Sequence, residues 1–318
     1  MAQAKTRRRP AAKRPVQAPR KRQDPKRYLR SLGWLVAVVA ISAIAVGAVL
    51  LGKEQAQSGS EGPATSAGLP DTPDYHSLLV ASSDPTRIML GTHAGLYEST
   101  DGGRNWDQAA LAGQDAMNLA DSGGETAWTA GHNVFARSTD GGATWSDVRP
   151  DGLPSLDIHG FTVDPSNSDR LYAAVAGQGL YRSDEGGKSF RLASKEVGGA
   201  VMALAVMRDG RILAGDMEKG LMLSGDGGKS WRVVLRAVLM GLAVNPDDPQ
   251  TVVATGPGIL LSTDGGKTFD QKLDLEQGAG PVAWSPSDPK LAYVVGFDRM
   301  LYRSNDGGVS WKPVQLGG

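Results

Sequence analysis

From residue 74 onward, apolar residues come in short runs broken by clusters of Gly, Pro, Asn and Asp. One stretch shows the pattern well. His159 to Val163 is apolar-rich, Asp164-Pro165-Ser166-Asn167 is a turn, Leu171 to Val175 is a second run ending at Gly177, Leu180 to Arg182 is a third, and Phe190 opens a fourth. Runs of this length bounded by turn residues predict antiparallel strands joined by hairpins. The first turn recurs as Ser83-Asp84-Pro85, Asp209-Gly210, Asn245-Pro246-Asp247 and Ser285-Pro286-Ser287. Between the third and fourth runs lies an eight-residue box, Ser138-Thr139-Asp140-Gly141-Gly142-Ala143-Thr144-Trp145. It returns at Ser99–Trp106, Ser183–Phe190, Ser224–Trp231, Ser262–Phe269 and Ser304–Trp311. Its acidic residues are Asp101, Asp140, Glu185, Asp226, Asp264 and Asp306, spaced 39, 45, 41, 38 and 42 residues apart. A period near 40 with turn chemistry in every unit marks a repeat architecture. Four strands in each of six units predict an all-β, six-bladed β-propeller with four-stranded antiparallel blades over residues 74–318. The blades fall near 74–113, 114–153, 154–196, 197–236, 237–277 and 278–318.

The hydropathy pattern is different upstream. Residues 31–52 form a 22-residue uncharged apolar run. At ~1.5 Å per residue it is long enough to cross a hydrocarbon core as one transmembrane helix. Trp34 sits at its leading edge, where an interfacial aromatic belongs. Residues 1–30 are broken by four prolines and carry almost nothing apolar, so they predict a basic, disordered cytoplasmic tail. Either anionic lipid or nucleic acid could take such an arm, and its place beside an apolar span favours lipid. The basic flank predicts a cytoplasmic N-terminus and an exported propeller. A cleaved signal peptide is the competing reading, but Lys53-Glu54-Gln55 follows the run in place of a small-x-small site. Residues 53–73 read as a flexible Gly/Ser/Pro linker.

Charge sharpens this division. The formal net charge is zero, yet residues 1–30 hold twelve Lys or Arg against one Asp, whereas residues 53–318 hold 22 basic and 33 acidic residues. A propeller region with net charge −11 argues against nucleic acid as its partner. The chain has no cysteine, which excludes disulfides, thiolate metal sites, cysteine nucleophiles and a lipidated cysteine.

The box resembles the Asp-box, or BNR repeat, of sialidases and many other propellers. Its own chemistry is that of a turn. The acid and the serine can bind backbone N–H groups, the glycines permit positive φ, and the aromatic starts the fourth strand. A calcium loop would need several oxygen ligands at alternate positions, which one Asp does not supply. The resemblance implies a propeller and leaves a sialidase-like glycoside hydrolase open as an activity. Sialidases hold a substrate carboxylate with three arginines, one in Arg-Ile-Pro ahead of the first box. Here Arg87 stands in Thr-Arg-Ile-Met. Arg137, Arg182 and Arg303 share one repeat position, as do Tyr97, Tyr181 and Tyr302, which marks both sets as blade parts. Xyloglucan-cleaving hydrolases with such boxes use two propellers, and this chain predicts one.

Only four histidines occur. His93 and His132 both lie six residues before a box serine, where other blades carry Gly177, Glu218, Gly256 and Asp298. His76 and His159 lie at the start of a first strand, each two residues after an aspartate, Asp74 and Asp157. Asp115, Val201, Met240 and Gly280 fall at the equivalent place elsewhere. The start of a first strand and the end of a second share one edge of an antiparallel blade. All four histidines therefore belong to the face opposite the boxes, on three consecutive blades. With Asp74, Asp157, Glu218 and Asp298 nearby they form a candidate ligand site, and copper or zinc is the cofactor they could take. Asp-Tyr-His…Gly-Thr-His and Gly-His…Asp-Ile-His-Gly-Phe also resemble a bacterial group of exported BNR-repeat proteins labelled glycosyl-hydrolase-like, over roughly residues 74–190. Propellers of the photosystem II assembly factor and sortilin types are more distant relatives, usually with more blades, and they imply protein binding. The combined expectation is a membrane-anchored, extracytoplasmic, non-catalytic module binding a protein or glycan partner on the histidine face. A glycoside hydrolase and a periplasmic metal-binding domain are the alternatives.

Overall fold

The computed structural model describes residues 66–198 and 200–315. The predicted basic tail, the predicted transmembrane helix and residues 53–65 of the linker lie outside them. Among the described residues no helix is long and apolar enough to cross a membrane. The described residues belong to one compact unit.

Its strands form six antiparallel sheets. Blade I holds β1 (Ser66–Ala67), β2 (Ser77–Val80), β3 (Ile88–Thr92), β4 (Gly95–Ser99) and β5 (Asn105–Ala110). Blade II holds β6 (Asn118–Asp121), β7 (Ala127–Ala130), β8 (Phe135–Ser138) and β9 (Ser146–Asp147). Blade III holds β10 (Ile158–Asp164), β11 (Asn167–Val175), β12 (Gly179–Ser183) and β13 (Arg191–Ser194). Blade IV holds β14 (Val201–Val206), β15 (Ile212–Asp216), β16 (Gly220–Ser224) and β17 (Arg232–Leu235). Blade V holds β18 (Gly241–Val244), β19 (Val252–Thr255), β20 (Gly258–Ser262) and β21 (Asp270–Asp274). Blade VI holds β22 (Ala279–Trp284), β23 (Ala292–Gly296), β24 (Leu301–Ser304) and β25 (Lys312–Pro313). The predicted six-bladed propeller is therefore the fold. β1, from within the stretch read as linker, adds a fifth strand by pairing with β5.

The first strand of each blade packs against the first strand of the next, and β22 against β2, so the ring is closed. No strand is shared across the seam, because every blade is contiguous in sequence. What seals it is a core cluster that joins Leu78, Ile88, Leu90 and Trp106 of blade I to Leu291, Tyr293, Val295 and Leu301 of blade VI. The six first strands enclose an axial cavity of about 570 Å3, which opens among the turns that follow them, on the box face.

The boxes repeat one hydrogen-bond pattern. In blade II, Ser138 Oγ donates to Asp140 Oδ1 at 2.7 Å and accepts the Gly142 N–H at 2.7 Å. Asp140 accepts the Thr144 N–H at 2.9 Å, and Trp145 Nε1 donates to Gly142 O at 3.0 Å. Blade III departs from this. Glu185 accepts the Ser189 hydroxyl at 2.6 Å, but its longer side chain takes no bond from Ser183 among the described residues.

Hydroxyl donors Thr144, Ser230, Thr268 and Ser310 hold the carboxyls of Asp140, Asp226, Asp264 and Asp306 below the usual carboxylate range, with Asp140 at about 2. A carboxyl depressed by folding contributes stability that is present above its unfolded value, about 4, and is lost as pH falls through its folded value. The thermal midpoint should therefore hold from neutral pH to about 4 and decline between about 4 and 2. A midpoint flat across that window, followed by calorimetry, would remove the boxes from the stability balance.

Candidate functional site

Short segments on the face opposite the boxes bring the histidines together. His93 follows β3, His132 follows β7 by two residues, His76 immediately precedes β2, and His159 lies inside β10. Adjacent blades are stitched here by backbone. Ala116 N–H donates to Thr92 O at 3.0 Å, and Asn133 N–H donates to Leu156 O at 3.0 Å. His132 and Asp157 form an isolated antiparallel bridge. The segments entering blades II and III are thereby laid against the second-to-third-strand turn of the blade before.

The four imidazoles form a continuous row across blades I to III. His76 Nε2 lies 3.0 Å from His93 Nδ1, and His132 Nε2 lies 3.1 Å from His159 Nε2. The rings of His93 and His132 are stacked between these pairs, with centroids 6.2 Å apart. Three carboxylates alternate with the rings. Asp74 contacts His76 Nε2 at 3.2 Å and also His93 Nδ1. Asp115 Oδ2 lies 3.1 Å from His93 Nε2 and 2.5 Å from His132 Nδ1. Asp157 Oδ1 lies 3.3 Å from His132 Nε2 and 3.1 Å from His159 Nε2.

Three groups here could each hold a metal ion: Asp74 with His76 and His93, His93 with Asp115 and His132, and His132 with Asp157 and His159. Glu218 and Asp298, candidates by repeat position, join none of them among the described residues. Asp298 instead accepts the Tyr302 hydroxyl at 2.6 Å and the Met300 N–H at 3.1 Å. Met240 stands on blade V, just ahead of β18.

The structure moves Asp115 to a different place in the pattern. Ser77 pairs with Gly91, and Asn118 pairs with Ala130. Counted from these pairs, His93 and His132 are equivalent and Asp115 matches Asp74, not His76. The first hairpin runs from Val80 to its partner Ile88, whereas the second runs from Asp121 to Ala127, two residues tighter. Fixed spacing from the box misses that shortening. Blade III differs in another way. Ile158 pairs with Val175 and Gly160 with Ala174, leaving His159 as the extra residue of a β-bulge. A bulge re-aims its side chain, and here it turns an imidazole toward His132.

The electrostatics follow from the alternation. Hydrogen bonds with Asp115 and Asp74 push the His93 imidazole up to about 10, and Asp115 likewise raises His132. Burial pushes the Asp115 carboxyl up, but its bonds with His132 and His93 outweigh that and bring it to about 2. Burial acts on Asp74 in the same sense and is outweighed by His76 and His93, leaving it far below the usual range. Both flanking carboxylates favour the charged form of the His93 imidazole.

The arginines read as blade parts are placed as such. Arg137 lies over the Trp128 ring at 5.6 Å, Arg182 over Tyr172 at 6.0 Å and Arg303 over Tyr293 at 5.8 Å. Each faces its aromatic directly across a strand pair. Arg87 is ion-paired with Glu98.

The family model described as photosynthesis system II assembly factor YCF48 matches residues 77–220, which run from blade I into blade IV. The chain is 26% identical over 257 residues to the photosystem II assembly lipoprotein Ycf48 of Synechococcus sp. strain CC9902, covering 76% of this chain and 75% of that protein. It is 30% identical over 263 residues to the xyloglucanase of Hypocrea jecorina strain QM6a, covering 78% of this chain but only 30% of that protein's length. Among solved structures, YCF48 bound to D1 peptide superposes with a TM-score of 0.51 at 18% identity, covering 80% of this chain and 85% of that one. These matches make the propeller one of the BNR type.

Proposed function

We propose that this chain is a membrane-anchored, extracytoplasmic binding and assembly module that docks a protein partner on its histidine face without catalysing a reaction. The observation that carries this reading is the match to the assembly-factor model, whose residues 77–220 include three of the four clustered histidines. The relative of known role is an assembly lipoprotein, and a YCF48 structure holds a peptide of D1. With no cysteine to carry lipid, this chain would use residues 31–52 as its anchor. Exposed Val238, Phe297 and Met300 on the turns of blades V and VI add apolar area to the same face, as a protein-binding surface requires. A carboxylate-clamping hydrolase is less well supported, since the repeat-position arginines stack on aromatics and Arg87 pairs with Glu98.

A photo-crosslinking residue at Gln178, exposed on the histidine face, is expected to give one discrete adduct in native membranes. The same residue at Lys267, exposed on a box turn, should give none. An adduct from Lys267 alone, or turnover of xyloglucan or sialosides by the full chain, would overturn the reading.

A further inference from the structure

We propose that the histidine row is a pair of divalent transition-metal sites, one formed by Asp74, His76 and His93 and the other by His132, Asp157 and His159, with Asp115 as the carboxylate that orients both. The distances carry this. A tetrahedral ion with bonds of about 2.0–2.1 Å keeps its ligand atoms about 3.3 Å apart. In the second triad the three edges are 3.1, 3.3 and 3.1 Å. In the first, the His76 edges are 3.0 and 3.2 Å, while His93 Nδ1 and Asp74 are in direct hydrogen-bond contact, an edge that has to open to admit an ion.

Protons alone satisfy the second triangle poorly. If His159 Nε2–H donates to Asp157, the His132 Nε2 lone pair faces the carboxylate oxygen at 3.3 Å. If both rings carry that proton, two N–H donors face each other at 3.1 Å. One cation at the centre satisfies all three lone pairs.

The unused ring nitrogens make the assignment specific. With His93 Nδ1 and His132 Nε2 facing the ions, His93 Nε2–H and His132 Nδ1–H both donate to Asp115 Oδ2, at 3.1 and 2.5 Å. A metal-bound histidine held by a carboxylate through its other nitrogen is the usual outer shell of such sites. Asp115 Oδ1 is buried with no hydrogen-bond partner, so the compensation for this carboxylate comes through Oδ2. Two imidazoles and one carboxylate suit zinc, copper and their neighbours better than magnesium or calcium. Each triad supplies three donors and leaves a fourth position for water or for a group of a docked partner. The first triad is the more sheltered, with His76 16% exposed against 43% for His132, and should fill first.

This inference goes beyond the partner-binding reading and fails separately from it, because zinc uptake needs no partner and crosslinking needs no zinc. The test is calorimetric titration of the full, EDTA-stripped chain with Zn(II), with metal content measured after gel filtration and folding of each variant checked by circular dichroism. The expected result is two equivalents per chain, and none of Mg(II) or Ca(II). His76→Ala and His159→Ala should each keep one equivalent. Asp115→Asn should keep two, each bound ten- to a hundredfold more weakly. In the Co(II)-loaded protein, Asp115→Asn should shift the visible bands of both sites and Asp115→Glu should restore them. No uptake, or two equivalents surviving in the folded His76→Ala/His159→Ala double variant, would overturn the sites. Three equivalents falling to two in Asp115→Asn would overturn the shared-carboxylate arrangement, since Asp115 would then be a ligand. An Asp115→Asn protein unchanged in affinity and spectrum would do the same.

Discussion

Replacing Trp106 with alanine should lower the unfolding free energy by about 3–5 kcal/mol, the usual cost of removing a buried large aromatic. Trp106 is 1% exposed and sits in the cluster that seals blade I against blade VI. Its Nε1 also donates to Gly103 O at 3.1 Å. At roughly 2–4 °C per kcal/mol for a domain of this size, the midpoint should fall by about 10 °C. Trp145 makes the same indole bond to its own box but is only partly buried. Its alanine variant should lose less. The local turn chemistry is alike in both, so the difference reports what each indole packs against, which for Trp106 is the seam cluster and the blade edge that β1 joins. Equal losses, or a loss below about 1 kcal/mol for Trp106→Ala, would show that the seam cluster does not hold the ring closed.

Gly142→Val should be nearly as damaging, for two separate reasons. Gly142 has φ of 95°, a region that a β-branched residue enters only as an outlier. A Cβ there would also lie 2.5 Å from Sδ of Met89, on the preceding blade. Backbone strain and overpacking each cost about 1–3 kcal/mol. Gly124 separates the two effects. It too has positive φ, 63°, but nothing lies within 4 Å of its would-be Cβ. Gly124→Val should therefore show the backbone cost alone. If the two variants melt together, the second box glycine is not an inter-blade contact, and the box acts only within its own blade.

How much of this was legible in the chain depends on the range of the interaction. The boxes could be read because their chemistry is local. Ser138, Asp140, Gly142 and Thr144 bind one another within seven residues of chain, so every copy carries its own instructions. His93 and His132 were found for the same reason, since a hairpin of constant length separates each from its box serine. His76 and His159 were found by their shared Asp-x-His pattern, although His159 reaches the row through a bulge that His76 does not use. Asp115 was placed one role away from its true one. Its blade has a shorter first hairpin, and only cross-strand register reveals that. Glu218 and Asp298 shared the repeat position without joining the row among the described residues.

The sequence by itself determined the all-β class, the number of blades, the strand order within each and the face on which the histidines lie. These follow from turn chemistry and from short apolar runs, which act over a few residues. Tertiary structure decided the rest: that the ring closes by packing and not by a shared strand, that β1 joins blade I, and that seven side chains from three blades meet in one alternating row. Those outcomes depend on the spacing between sheets and on backbone bonds from one blade to the next. Such contacts join residues far apart in the chain, and no local pattern encodes their distance.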